Sequence, residues 1–168
     1  MSREKIIEAA ETAFSKKGFH NTSMDVIALN AGVAKGTLYY NFPTKAALFL
    51  AVIDAGMSYL TGAINAEIEK DEPSLRQVEN IVRIHIDIFL EHPRIAKIMF
   101  NEISAGLDKE IQNHIIELRS RYENYLLEII KLGIREGVVR NLNTALLTNT
   151  IFNLLNSAAN YAADNPQV

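Results

Sequence analysis

The sequence predicts an all-α protein, with a three-helix head over residues 1–46 and a larger helical body over residues 47–168. Three observations carry that prediction. Apolar residues recur every three or four positions along most of the chain, the period of helices with one buried stripe. Gly18, Gly32, Pro73, Pro93, Gly106 and Gly137 punctuate the stripes, and these residue types end helices. Between Thr22 and Lys45 two short helices flank a tight turn, the spacing of a helix-turn-helix.

The first helix runs from Ser2 to Lys17, with Ile6, Ala9, Ala10, Ala13 and Phe14 as its inward stripe and Gly18 as its stop. Thr22, with Asp25 three residues on, makes a modest capping box and predicts that the second helix starts at or just after Thr22. Ile27, Ala28 and Ala31 form that helix's apolar face, and Gly32 takes the left-handed position past its end, which glycine adopts most cheaply. The third helix, Lys35 to Asn41, spans barely two turns. Leu38 turns inward, leaving Lys35, Gly36, Thr37 and Tyr39 for something outside. A cation, a small hydroxyl, a glycine that permits close approach and aromatic hydroxyls suit phosphates and base edges. Neighbouring residues on a helix point about 100° apart, so at most one of Tyr39 and Tyr40 is fully buried.

Thr44 is the expected N-cap of a long helix from Ala46 to about Lys70, which both domains share and which can act as a lever. A fifth helix follows from Leu75 to Glu91, and a short sixth from Arg94 to Ile103. In the seventh, Ile111, Ile115, Leu118, Tyr122, Tyr125, Ile129 and Leu132 predict a heptad-like seam. The last helix, Thr144 to Ala163, lies in a stretch with no charge between Arg140 and Asp164. One of its stripes is Leu147, Ile151, Leu154, Ala158 and Tyr161, and the opposite one is Asn149, Asn153, Asn156 and Asn160. A helix apolar on one side and neutral-polar on the other is what a subunit interface produces. We therefore assign Leu147, Ile151, Leu154, Asn149, Asn153, Asn156 and Asn160 to a homodimer interface; the alternative is an asparagine face wetted by solvent.

Composition excludes several classes. The chain has no cysteine, so disulfides and thiolate metal sites are ruled out. His20, His85, His92 and His114 show no ligand spacing, and no nucleotide-binding, metalloprotease or nucleophile-elbow motif occurs, so neither metal, cofactor nor catalysis is expected. The N-terminus has no signal-peptide core and no apolar run reaches about eighteen residues, which predicts a cytoplasmic protein without a membrane partner. The net charge of −3 divides unevenly. Residues 1–47 hold six cations against four carboxylates, +2, leaving −5 for the rest. A basic head on an acidic body suits a nucleic-acid partner.

The run from Asn21 to Phe49, with Ile27-Ala28, Ala31-Gly32-Val33, Lys35-Gly36-Thr37-Leu38-Tyr39-Tyr40 and Phe42-Pro43-Thr44-Lys45, resembles the DNA-binding domain of TetR-type transcriptional repressors. Leu132-Gly133-Ile134-Arg135-Glu136-Gly137 also resembles that family's long-helix ending. Asn41 stands where the family commonly has histidine, Ala34 where a serine or threonine often caps the recognition helix, and Val26 where an acidic residue is usual. The resemblance implies a regulator that binds a palindromic double-stranded DNA operator as a dimer, a repressor released by a small molecule. Lys35, Gly36 and Thr37 are assigned to bases and Thr22, Ser23, Tyr39, Tyr40 and Lys45 to phosphates; Lys35, which with Lys45 flanks the recognition helix, is also a phosphate candidate, and Asn41 can pair adenine, though its place at the helix end favours phosphate. His85, Phe89, Met99, Phe100, Tyr122, Tyr125, Phe152 and Asn153 are candidates to line an effector pocket. Its aromatic and methionine content points to an apolar or aromatic ligand. The competing reading is a helical ligand-binding or interaction module without an operator.

Overall fold

The computed structural model describes residues 2–67, 72–101 and 106–165. Among them are the helices α1 (Ser2–Lys17), α2 (Met24–Ala31), α3 (Lys35–Asn41), α4 (Lys45–Glu67), α5 (Ser74–Glu91), α6 (Pro93–Asn101), α7 (Lys109–Arg135) and α8 (Thr144–Asp164), and no strand. The expected helices are present, most bounds falling within two residues of expectation; Lys70 and Ile103, the expected ends of α4 and α6, lie outside the described residues.

The chain forms two compact units, Met1–Met57 with Arg94–Ile115, and Ser58–Pro93 with Ile116–Val168. The first unit thus extends beyond residue 46. The first half of α4 supplies Leu48, Phe49, Val52 and Ile53 to the same core as Ile6, Phe14, Ile27 and Leu38, all buried. The Phe49 ring meets Phe14 edge-on at 5.1 Å and Phe19 at 4.9 Å, an arrangement aromatic quadrupoles favour. Arg94 opens α6 and donates to Glu11 at 3.2 Å and Thr12 at 3.1 Å on α1. Ile95 occupies the space a Cβ on Gly56 would need, 2.6 Å away. His114 on α7 pairs with Asp54 on α4 at 2.7 Å. By length and composition α4 is apolar enough to cross a membrane, but Leu48, Phe49, Val52, Ile53, Met57, Leu60 and Ile64 are buried within the protein.

In the second unit α5 packs on α8. The buried stripe of α7 runs through Ile111, Ile115, Leu118, Tyr122, Leu126, Ile129 and Gly133, with Ile130 beside it. Tyr125, expected on the seam, is 37% exposed and donates to Asn65 instead. The stripe advances by four, three, four, four, three and four, the drift of a straight helix with about 3.6 residues per turn rather than the 3.5 of a heptad.

Glycines explain the end of α7. A Cβ on Gly133 would lie 2.6 Å from Val139 and 3.0 Å from the Ser74 hydroxyl, so the absent side chain lets the start of α5 approach. There the Glu136 carboxylate accepts from the Ser74 N–H at 3.0 Å and from its hydroxyl at 2.5 Å. Pro73 offers α5 no side-chain cap, so a residue 62 positions away supplies it. Glu136→Ala is expected to lower stability by about 1–2 kcal/mol, the value of a lost helix cap with a charged acceptor. Urea unfolding measures it, and a midpoint unchanged from wild type would remove the capping role.

On α8 the inward residues are Thr148, Phe152 and Leu155, with Leu147, Ile151 and Asn156 half-buried. Leu154 is 67% exposed, and Ala158 and Tyr161 are also exposed, so the predicted apolar stripe is not the one packed on the protomer's own core. A helix without charges gives no periodic signal for which of two faces turns inward. Asn149 and Asn153 are exposed and bonded to each other, Nδ2 of Asn153 donating to Oδ1 of Asn149 at 2.9 Å. Asn160 lies outside the described side chains.

Candidate nucleic-acid interface

The helix-turn-helix is fixed by its ends. Ser23, in extended backbone, accepts the Val26 N–H on its hydroxyl at 3.3 Å and is the N-cap of α2. Thr22, expected as that cap and as a phosphate ligand, is instead buried. Its hydroxyl serves the Gly18 carbonyl at 2.7 Å and lies 3.3 Å from that of Ala13, closing the turn after α1. Gly32, at φ 65°, ends α2: its N–H bonds Leu29 O and that of Val33 bonds Ala28 O, both at 3.1 Å. This paired closure requires a left-handed residue.

α3 buries one side chain. Leu38 is fully buried, while Lys35 and Gly36 are exposed and Thr37 is half-exposed. Tyr39 is 47% exposed and Tyr40 89%, so neither ring belongs to the core. At Gly36 no atom lies within 4 Å of where a Cβ would stand, so the space there is open for an external partner. Lys35 pairs with Asp25 on α2 at 2.6 Å, and that carboxylate holds its ammonium above the usual lysine range. Asn41 is half-exposed, its Nδ2 donating to Thr37 O at 2.8 Å across the last turn.

Lys45 corrects a second expectation. Its ammonium donates to the carbonyls of Phe19 at 2.7 Å, Thr22 at 3.0 Å and His20 at 3.3 Å, with the Phe19 ring 4.5 Å away. All three ammonium donors are therefore committed to the loop that leads into α2. A lysine two residues after a proline reads as a solvated cation in sequence; the fold turns it into a clasp.

Ala34 gives α3 no side-chain cap. Ala34→Ser is expected to stabilise the head by about 0.5–1 kcal/mol, because the hydroxyl meets a free N–H of the first turn. A thermal melt reads this as a rise of a few degrees; no rise would mean that turn is already satisfied.

The effector candidates divide. His85, Phe89, Tyr122 and Phe152 come together: the His85 ring lies 4.6 Å from Phe89 and 5.7 Å from Tyr122, and Tyr122 lies 5.6 Å from Phe152. Arg119 stacks on the outer ring, 4.5 Å over Phe152. Burial pushes the His85 pKa down to about 4, and the same burial raises that of Tyr122, so both are neutral at physiological pH. Tyr125 is not part of this cluster. It lines a separate surface groove of about 400 Å³ with Asn65, Gln77, Arg121, Asn124, Glu128 and Ile129, whose lining residues sequence reasoning otherwise missed. Asn153 is exposed and bonded to Asn149, away from the cluster. Met99 and Phe100 lie outside the described side chains.

Comparison with known proteins follows the same division. Residues 6–52 match the model of bacterial regulatory proteins, tetR family, and residues 71–161 match the tetracyclin repressor-like C-terminal domain. The HTH-type transcriptional regulator RutR of Escherichia coli O157:H7 is 27% identical over 168 residues, covering 99% of this chain and 76% of its own. The nucleoid occlusion factor SlmA of Shewanella loihica is 24% identical over 150 residues, covering 89% of this chain and 76% of its own. Among solved structures, the transcriptional regulator FadR from Bacillus subtilis in complex with stearoyl-CoA superposes with a TM-score of 0.88 at 23% identity, over 98% of this chain and 88% of that one. With an exposed recognition helix at its head and the second family match covering more than half of its length, the chain belongs to the TetR family of DNA-binding transcriptional regulators.

Proposed function

We propose that the chain is a repressor that binds a palindromic operator as a homodimer and is released when a small apolar or aromatic molecule occupies the helical body. The observation that carries this reading is α3, whose one buried residue is Leu38 while Lys35, Gly36, Tyr39 and Tyr40 stay outside. Lys35, Gly36 and Thr37 meet base edges; Ser23, Tyr39, Tyr40 and Asn41 meet phosphates; Thr22 and Lys45 hold the loop that sets the angle of α2. Residues 1–46 act as the reading head and 47–168 as the effector-binding and dimerising body. Leu147, Ile151, Leu154, Asn149, Asn153, Asn156 and Asn160 lie at the two-fold. Two heads related in this way engage successive major grooves, about 34–36 Å apart.

A ligand shifts such an equilibrium only through its differential affinity for two conformations, here one that matches the groove spacing and one that does not. The aromatic cluster on α5, α7 and α8 supports an apolar ligand, and acyl-CoA thioesters, of the kind bound by the Bacillus subtilis FadR, belong in the first screen beside aromatic compounds. The protein works in the cytoplasm and carries out no turnover.

The test is binding to the DNA upstream of its own gene, by gel shift over a salt series. Lys35→Ala is expected to weaken binding and, through loss of a phosphate contact of its ammonium, to lower the slope of log K against log salt by about one unit. An unchanged slope would remove Lys35 from the phosphates and leave it on the base edges alone. The similarity to SlmA favours a second reading, a nucleoid occlusion factor rather than a regulator of its own promoter. Site selection from random DNA, followed by a reporter driven from the gene's own promoter, separates the two.

A further inference from the structure

Two side-chain atoms among the described residues are buried without a hydrogen-bond partner, His85 Nε2 and Thr148 Oγ1. Both belong to the second unit, and His85 is only 1% exposed. A buried polar atom left unpaired costs about 1–3 kcal/mol, so His85 Nε2 calls for a reason.

The other ring nitrogen defines what Nε2 offers. His85 Nδ1 lies 2.9 Å from the Tyr122 hydroxyl. If Nδ1–H were the donor, both the Tyr122 proton and the Nε2 lone pair would lack partners inside the protein. With Tyr122 donating to Nδ1, the only unmatched group is an Nε2–H. The second arrangement leaves fewer groups unsatisfied and is the one a neutral imidazole beside a neutral phenol adopts. The Asn156 carboxamide approaches from α8 and favours the charged ring, but does not meet hydrogen-bond geometry at Nε2. What remains is a donor enclosed by Phe89 and Tyr122, with Phe152 against the Tyr122 ring.

The surroundings also bear on access. The groove of about 400 Å³ that contains Gln77 of α5 and Ile129 of α7 opens on the same pair of helices. Gln77 precedes His85 by eight residues and Ile129 follows Tyr122 by seven. At 1.5 Å per residue the groove and the donor are separated by about 10–12 Å along the helices.

We propose that His85 Nε2–H, oriented by Tyr122, is the polar anchor of the effector and that it selects molecules carrying a neutral hydrogen-bond acceptor, a ketone, ester, thioester or amide carbonyl, on an apolar or aromatic frame. This rests on the effector reading given above and adds the ligand's chemical class to it. A carboxylate is disfavoured, since Nε2–H is the only unpaired donor at the imidazole and an uncompensated charge buried among three aromatic rings is expensive. An amine is disfavoured because donor would face donor.

The test uses four molecules of similar size and different polarity: acetophenone, ethylbenzene, benzoate and benzylammonium. Each is titrated against the full chain with 15N-labelled histidine, the His85 signal being assigned by its loss in His85→Phe. Acetophenone is expected to bind about tenfold more tightly than ethylbenzene, the worth of one buried hydrogen bond, and to move the Nε2–H resonance. His85→Phe is expected to bind the two equally while keeping its affinity for ethylbenzene. Tyr122→Phe, which frees the tautomer, is expected to reduce the ketone preference and to shift the ring toward Nδ1–H. Equal binding of ketone and hydrocarbon by the wild type overturns the anchor and leaves apolar binding in the helical body standing. Absence of binding by all four overturns the anchor together with the aromatic cluster as the effector site, and operator binding measured on the same sample shows that the protein was folded.

Discussion

Gly36→Leu is expected to reduce operator affinity by at least about a hundredfold while leaving the melting temperature unchanged or higher. The two effects separate because the glycine serves nothing inside the protein. No atom lies within 4 Å of the position a Cβ would take, and its backbone is helical rather than left-handed. A leucine there has a better helix propensity by several tenths of a kcal/mol, so the free head gains if anything. On DNA the same side chain stands between α3 and the base edges and holds off Lys35 and Thr37, its neighbours in sequence. A hundredfold loss corresponds to about 2.7 kcal/mol, which is the worth of one or two good base contacts. Fluorescence anisotropy with the operator and calorimetry on the same sample supply both readings. Retained affinity would mean that α3 does not enter the groove, and a lowered melting temperature would mean that Gly36 is a structural glycine.

Acidification from pH 7 to pH 4 is expected to remove about 3 kcal/mol of stability through His85 alone. Burial depresses its pKa from 6.5 to about 4. Between those values the unfolded chain binds a proton that the folded chain refuses, so stability falls as pH falls through this window and levels off below it. Each pKa unit is worth about 1.4 kcal/mol, and about two and a half units separate the states. Carboxylates titrate in the same range, so the informative quantity is the difference between wild type and His85→Phe, measured by urea unfolding at several pH values. The variant begins less stable at pH 7, because Tyr122 loses its acceptor, and is expected to show a shallower decline toward pH 4. Parallel declines would show that the ring is hydrated in the folded protein.

These two residues were unequally visible before the fold was known. Gly36 could be placed from its neighbours, because a helix of barely two turns with one inward leucine leaves little doubt about its outward positions. His85 lies in an apolar stretch, where the sequence marks it only as one of several effector candidates; its unpaired nitrogen depends on Tyr122, 37 residues away, and on α8. The same contrast holds for the lysines. Lys35 is as exposed as its helix position implied, whereas Lys45 spends its donors on three carbonyls more than twenty residues earlier. Thr22 and Ser23 are adjacent and chemically alike, and only the packing of α1 decides that the first is buried and the second caps α2.

The order and extent of the helices, the turn at Gly32 and the outward face of α3 follow from the sequence by itself, because helix period, capping and left-handed glycine are local properties set within a few residues. Tertiary structure alone decided the cap that Glu136 places on α5, the inward face of α8, the clasp of Lys45 and the solitary donor of His85. Each of these joins groups distant in the chain, and a hydrogen bond or a buried face between such groups exists only where packing brings them within about three or four ångströms of each other.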